Sequence, residues 1–423
     1  MSRKGSNSVQ IRHYNERVVL EALRRMGEAS KADLARSANL TPQAVAGIVA
    51  ALEEAGLAEP RGKRAGQIGQ PSTIYAVAPD GALSIGLHVG RRALDAVLID
   101  LAGRTRRVET SEYAYPEPQA VADLAAAYVR TLHSSLAPEL RRRVVGVGVA
   151  MPYFLGGWRN ELDLPLRVTA AWEEFDLRAR LAEETDLPLH FQNDASSAAT
   201  AELVYGHGQT VRDFIHFSVH TFIGGGLIID GKLETGPHGN SAAFGPYPVG
   251  PSRLSTVPPP AGPFEILLRR ASIYVLTHHL RANGVPINRA YELEALGERA
   301  EPYLSEWIAD CADALATAIV GAIAVVDVSA VVIDGILPRA ILERTVEAIR
   351  ERFEAIVPEG LVVPAIRAGS IGSQAAAIGA AIIPLYAMFA PDSDVLVKTQ
   401  PEPRRPTRHQ GAASAFAGPR SFR

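Results

Sequence analysis

Thr41, Gln43, Ala44 and Gly47 fall within one short stretch and lie off the apolar stripe of a predicted helix. Their chemistry is that of base recognition. The glutamine amide both donates and accepts, so Gln43 can pair bidentately with an adenine edge, and Ala44 is small enough to sit against a thymine methyl. Downstream, the turn 61–71 carries Arg61, Lys63 and Arg64, cations that neutralise phosphate irrespective of base sequence. Gln70, in the same turn, joins Lys63 and Arg64 as a candidate DNA contact.

Such residues act only if local elements hold them. Val19, Leu23 and Met26 recur at helical spacing over 11–26, with Gly27 as a stop. Ser30-Lys31-Ala32-Asp33 is a capping-box pattern that opens a short helix through Ala38. After the turn Asn39-Leu40, Thr41 can cap and Pro42 suits the first helical position. Val45, Ile48, Val49 and Leu52 then form an apolar stripe, and Gly56 ends the helix. Strand-like runs at 57–59 and 73–77 flank the basic turn and complete a winged helix-turn-helix over 1–80. A three-helix domain that contacts protein rather than DNA remains the alternative, because the recognition helix carries no Arg or Lys.

The charge distribution favours nucleic acid as partner of this head alone. The chain has 423 residues and a net charge of −3, yet residues 1–78 sum to +4, leaving −7 for the rest. Hydrophobic residues make up 47% and charged ones 21%, which is globular composition. Cys311 is the only cysteine, so an internal disulfide and multi-cysteine metal sites are excluded. The first residues lack an apolar core and no apolar run is long enough to span a bilayer, so no membrane association and a cytoplasmic location are expected.

From Gly81 onward strands alternate with helices, which predicts an α/β body. A hairpin of 84–89 and 93–99 turns at Gly90-Arg91-Arg92, and a second of 214–222 and 227–230 is expected to turn at Gly224-Gly225-Gly226. The repetition points to a weak internal duplication. Helices are expected at 118–137, 177–184, 195–205, 264–282, 302–326 and 339–355, and a disordered Pro- and Arg-rich tail at 391–423.

The ordered set Ile11-Arg12-His13-Tyr14-Asn15, the segment 40–57, Gly69-Gln70-Pro71-Ser72, the segment 146–152, Gln192-Asn193-Asp194-Ala195, Gly224-Gly225-Gly226, Gly236-Pro237-His238-Gly239 and Gly379-Ala380-Ala381 resembles the ROK family (repressors, open reading frames and kinases) in its winged-helix repressor branch. The resemblance implies a two-lobed, actin-like, sugar-kinase-like body, with lobe 1 at 81–193 completed by about 372–390 and lobe 2 at 194–371. It also implies a homodimer or tetramer that binds operator DNA as an inverted repeat and responds to a sugar or sugar derivative.

Against that family's kinases, the chain departs at each phosphate turn. His88 replaces an acid, Arg91-Arg92 replace a Gly-Thr pair, His220-Thr221-Phe222 stand for Gly-Thr-Gly, and Ile333-Asp334-Gly335-Ile336-Leu337 retains one glycine. Side chains where phosphate needs bare backbone predict no kinase activity. Asp194 matches the catalytic base and can also be a helix N-cap. Ala243 and Pro246 stand for a sugar-binding Glu and a zinc-binding His, and 250–262 holds neither Cys nor His. No zinc or other cofactor is therefore expected, and proline rigidity is expected to restrain that loop. The remaining effector-binding candidates are Asn193, Asp194 and His238, with Asn240 beside them. Arg91 and Arg92 are either an exposed hairpin tip or the attraction for an anionic ligand. The expected function is a DNA-binding regulator, a repressor of genes for sugar or related carbon metabolism. A sugar kinase with an appended DNA-binding head is the alternative, and a protein-interaction module a third.

Overall fold

The computed structural model describes residues 8–64, 72–153, 155, 165–287 and 290–391. Gln70 and the expected tail from 392 onward lie outside the described residues. Two compact units divide the chain, one of 1–54, 60–75 and 389–423 and one of 55–59 and 76–388.

The N-terminal elements are α1 (Ser8–Met26), β1 (Glu28–Ser30), α2 (Lys31–Ala38), α3 (Pro42–Glu54), β2 (Ala58–Arg64) and β3 (Ser72–Val77), with strand order β1-β3-β2. The Ser30 hydroxyl accepts from the Asp33 amide at 3.1 Å, and the Asp33 carboxylate accepts from the Ser30 amide at 3.0 Å, the reciprocal cap that starts α2. Asn39 ends α2 in the left-handed region, φ 53°, where its short polar side chain is tolerated. The Thr41 hydroxyl then accepts from the Ala44 amide at 3.2 Å. Val19, Leu20, Leu23, Leu34, Val45, Ile48, Val49 and Leu52 are buried. One expectation fails here: Arg61, Lys63 and Arg64 lie in strand β2, not in a turn. Cross-strand pairing outweighs the turn preference of Gly62, whose φ of 145° fits an irregular strand.

The larger unit holds two five-stranded sheets. The first is built from β4 (Leu83–Val89), β5 (Ala93–Asp100), β6 (Thr105–Glu112), β7 (Val144–Met151) and β8 (Leu189–Asn193) in the order β6-β5-β4-β7-β8. Helices α4 (Pro118–Ser134), α5 (Pro138–Arg141), α6 (Leu166–Glu174) and α7 (Leu177–Ala182) lie between its strands in sequence. Helix α8 (Asp194–Tyr205) leads directly from β8 toward the second sheet. That sheet contains β9 (Phe214–Val219), β10 (Ile223–Ile229), β11 (Lys232–Glu234), β14 (Ala330–Gly335) and β15 (Ala365–Ala368) in the order β11-β10-β9-β14-β15. The strands β12 (Pro248–Val249) and β13 (Glu265–Ile266) pair with each other, and α9 (Ile273–Ala282), α10 (Glu301–Ile323), α11 (Arg339–Ile356) and α12 (Ala375–Phe389) complete the unit.

Two sequence expectations are corrected. Gly224, Gly225 and Gly226 are not a turn but the start of β10, each paired with β9. Their missing side chains admit α8, because a Cβ on Gly224 would strike that of Ala195 and one on Gly226 that of Ala199. The segment 264–282 is α-helical only from Ile273, after a single 3-10 turn at Leu267–Arg269. Before it, the Leu267 and Leu268 amides bond to the carbonyls of Tyr247 and Gly245, which ties the chain to a distant loop instead of to its own preceding turn.

The closing helix α12 decides where α8 stands. A Cβ on Gly86 of β4 would overlap the Ala377 carbonyl, and one on Gly148 of β7 the Ala380 carbonyl. On its other side, Gly379 lets α12 approach the Ser197 carbonyl of α8. First sheet, α12, α8 and second sheet are thus stacked through close approach at glycines, and the N-terminus of α8, with Asp194, is held between the two sheets.

Candidate functional site

Two groups of residues could do chemistry. On α3, the stripe of Val45, Ile48, Val49 and Leu52 faces inward, so Thr41, Gln43, Ala44 and Gly47 are exposed together. Arg61, Lys63 and Arg64 are exposed along β2. Arg64 also approaches Asp33, with Nη1 3.7 Å from Oδ2, a surface pair that leaves its charge largely available.

The second group surrounds Asp194. Asn193, not Asp194, is the N-cap of α8: its Oδ1 accepts from the Ala195 and Ser196 amides at 3.1 and 3.2 Å, leaving its NH2 as a donor. This corrects the N-cap reading of Asp194, which sits in the first turn with Oδ2 3.8 Å from His88 Nε2. On its other edge, His88 Nδ1 lies 3.2 Å from Asp95 Oδ2, its direct cross-strand partner. The Thr110 hydroxyl donates to the remaining Asp95 oxygen at 2.8 Å.

Arg91 is the clearest departure from expectation. It is not an exposed tip but 8% exposed, with Nη1 donating to the Leu155 carbonyl at 2.9 Å and the guanidinium over the Phe222 ring at 5.2 Å. Arg92 is the exposed member, stacked on Tyr115 at 5.6 Å.

Burial disfavours a charged His88, but contact with Asp194 and Asp95 outweighs it and raises the imidazole from 6.5 to about 9. Burial likewise opposes ionisation of Asp194 and Asp95, yet the His88 charge holds both carboxyls below the usual carboxylate range. Arg91 is brought down to about 10 by burial, against the attraction of Asp194. His220 is lowered to about 4 by burial and the nearby His88 charge, so it stays neutral. Two cations thus balance two carboxylates. Asp194 is an ionised acceptor suited to a hydroxyl.

His238 is exposed beside the left-handed glycines 236 and 239, and Asn240 is exposed next to it. Among the described residues no hydrogen bond or ion pair joins His238 to Asn193 or Asp194. The sequence reading missed His88, Asp95 and His220 as members of the site. A histidine and an aspartate facing across one hairpin were the available signal.

The loop from Gly250 is anchored by a buried ion pair, a restraint that the sequence reading did not include. Asp310 accepts from Ser252 Oγ at 2.9 Å, the Arg253 amide at 2.8 Å and Arg270 Nη2 at 2.8 Å, while Arg270 Nη1 donates to the Gly250 carbonyl at 3.1 Å. Arg270 and Asp310 are each 1% exposed in their side chains. Among the described residues no group of three or more His, Cys, Asp or Glu is placed to hold a metal ion, and no helix is long and apolar enough to cross a membrane.

Comparison with known proteins places this geometry. The chain is 28% identical over 384 residues to the uncharacterized protein y4fQ of Sinorhizobium fredii, covering 89% of this chain and 91% of that protein. It is 22% identical over 238 residues to the xylose repressor of Bacillus subtilis, spanning 56% of this chain and 60% of the repressor. With a glucokinase of Streptomyces coelicolor the identity is 28% over 221 residues, 51% of this chain and 65% of the enzyme. The crystal structure of a ROK family transcriptional regulator, a homolog of the Escherichia coli Mlc protein, superposes with a TM-score of 0.64 at 20% identity, covering 90% of this chain and 97% of that one. A ROK family glucokinase from Streptomyces griseus, in complex with glucose and AMPPNP, superposes with a TM-score of 0.55 at 24% identity, covering 71% and 99%. These superpositions establish the fold. The sequence model of the ROK family matches residues 84–386, most of the chain, and the protein belongs to the ROK family.

Proposed function

We propose that the protein is a DNA-binding transcription regulator, a repressor of genes for sugar or related carbon metabolism, whose kinase-like body senses an effector and transfers no phosphate. The observation that carries this reading is the exposed face of α3: a doubly capped helix pair buries its apolar stripe and leaves Thr41, Gln43, Ala44 and Gly47 facing outward. Exposed Lys63 and Arg64 on β2 supply phosphate contacts, and Gln70, outside the described residues, is a further proposed DNA contact. Two such heads in a dimer or tetramer read an inverted repeat in successive major grooves. The likeness to a xylose repressor supports both the DNA partner and a sugar-like effector. Asn193, Asp194 and His238 are the proposed effector contacts, and a cytoplasmic location follows from a DNA target.

The body supports the loss of kinase chemistry because side chains fill the hairpin tips where phosphate requires bare amides: Arg91 is buried at one tip and His220 and Phe222 stand at the other. A sugar kinase with a DNA-binding head is the second reading, favoured by the glucokinase relative and by Asp194. Selection of genomic fragments with purified protein at near-physiological salt tests the first. An enriched inverted repeat supports the regulator; salt-labile, sequence-blind retention overturns it. Hexose-dependent ATP turnover that disappears in Asp194→Asn would establish the kinase instead.

A further inference from the structure

The β4–β5 and β9–β10 hairpins belong to different sheets, yet their tips hold one another. Arg91, from the first tip, lies over Phe222 of the second at 5.2 Å, and the His88 and His220 rings meet edge to face at 5.8 Å. His88 also reaches Asp194 at 3.8 Å, on the helix packed against the glycines of β10. Each tip is braced by a neighbouring segment, Tyr113 just past β6 for one and the N-terminus of α9 for the other. The Tyr113 hydroxyl shares its one proton between the Gly90 and Ala93 carbonyls, at 2.6 and 2.9 Å, and the Ile273 and Tyr274 amides donate to the His220 and Thr221 carbonyls at 3.0 and 3.2 Å.

Removing a guanidinium from water is costly, and a plain apolar contact between sheets would avoid that cost. Here the charge is retained and aimed across the gap, where desolvation strengthens its attraction to an aromatic face. We propose that Arg91, His88, Asp194, His220 and Phe222 form a latch between the two sheets, which sets their relative position with no ligand required. This goes beyond the regulator reading and does not depend on it. The latch ends on Asp194, the carboxylate assigned above to the effector.

Hydrogen exchange on the full-length chain reads the two tips separately. Phe222→Leu keeps apolar bulk but removes the aromatic face, and Arg91→Lys keeps the charge but loses the planar fork. Each variant is expected to accelerate exchange in both 88–95 and 219–224 by about tenfold or more, while β14 keeps its wild-type rate. Phe222→Tyr restores a ring and is expected to restore protection at 88–95. The latch is overturned if Phe222→Leu affects 219–224 alone, if Arg91→Lys affects 88–95 alone, or if Leu and Tyr at position 222 behave alike. Fragment selection on DNA is unaffected by these outcomes, so failure of the latch and failure of the regulator reading are distinguishable.

Discussion

Replacing Gly47 with alanine should stabilise α3 and weaken DNA binding. Gly47 lies inside α3 without a left-handed φ, and a Cβ built there meets no atom within 4 Å. Nothing in the fold therefore requires a glycine. In a helix interior, alanine is more favourable than glycine by roughly 0.5–1 kcal/mol, because it loses less backbone entropy. That gain corresponds to amide exchange in α3 slowed about twofold to fivefold. The free space above Gly47 adjoins Gln43 and Ala44 on the same exposed face, where the regulator reading places the floor of a major groove. A methyl group there holds the helix away and lengthens the hydrogen bonds of Gln43. A bidentate pairing with a base is worth about 1–3 kcal/mol, so Gly47→Ala should weaken specific binding by about tenfold. The assay is a titration of the selected duplex at fixed salt, with hydrogen exchange on the same preparations. A variant that is more stable and binds as tightly as wild type would refute the argument, since the open space would then not belong to DNA.

Other perturbations probe the remaining groups. Gln43→Ala should relax selectivity at one base pair in each half-site; affinity reduced equally on all sequences would mean that Gln43 reads no base. Lys63→Ala combined with Arg64→Ala should lower the slope of log K against log salt by about 0.9 for each phosphate no longer neutralised, and an unchanged slope would remove β2 from the interface. Folding stability should be greatest near neutral pH. His88 is raised from 6.5 to about 9 in the folded chain, so its contribution, on the order of 3 kcal/mol at most, is complete below about pH 6.5 and lost as pH rises through 9. His216, fully buried and depressed to about 4, acts oppositely and costs stability as pH falls from 6.5 toward 4. His88→Gln should flatten the alkaline limb of a urea-midpoint profile and leave the acid limb in place; an unaltered alkaline limb would show that His88 is not the group titrating there. Asp310→Ala removes the buried carboxylate that holds Arg270, leaving it only the less buried Asp313 at 3.2 Å, and should cost up to about 3–5 kcal/mol in urea unfolding, whereas treating wild type with EDTA should change nothing.

The sequence by itself determined whatever depends on residues three or four apart. The Ser30–Asp33 cap, the Thr41 cap with Pro42 behind it, and the inward stripe of Val45, Ile48, Val49 and Leu52 all follow from local backbone geometry, which the chain carries wherever it folds. The order of motifs identified the family for the same reason, since motif order needs no knowledge of which residues meet in space. Long-range packing alone decided the rest. Gly224–Gly226 look like a turn until α8 lies across them, and 264–272 look like continuous α-helix until the Tyr247 and Gly245 carbonyls claim the Leu267 and Leu268 amides. Arg61 to Arg64 read as a loop until cross-strand pairing makes them part of β2. Arg91 reads as an exposed tip because arginine at a hairpin turn usually meets water. Its burial depends on Leu155 and Phe222, residues brought to it only when the two sheets meet, and no local pattern encodes where a partner more than a hundred residues away will stand.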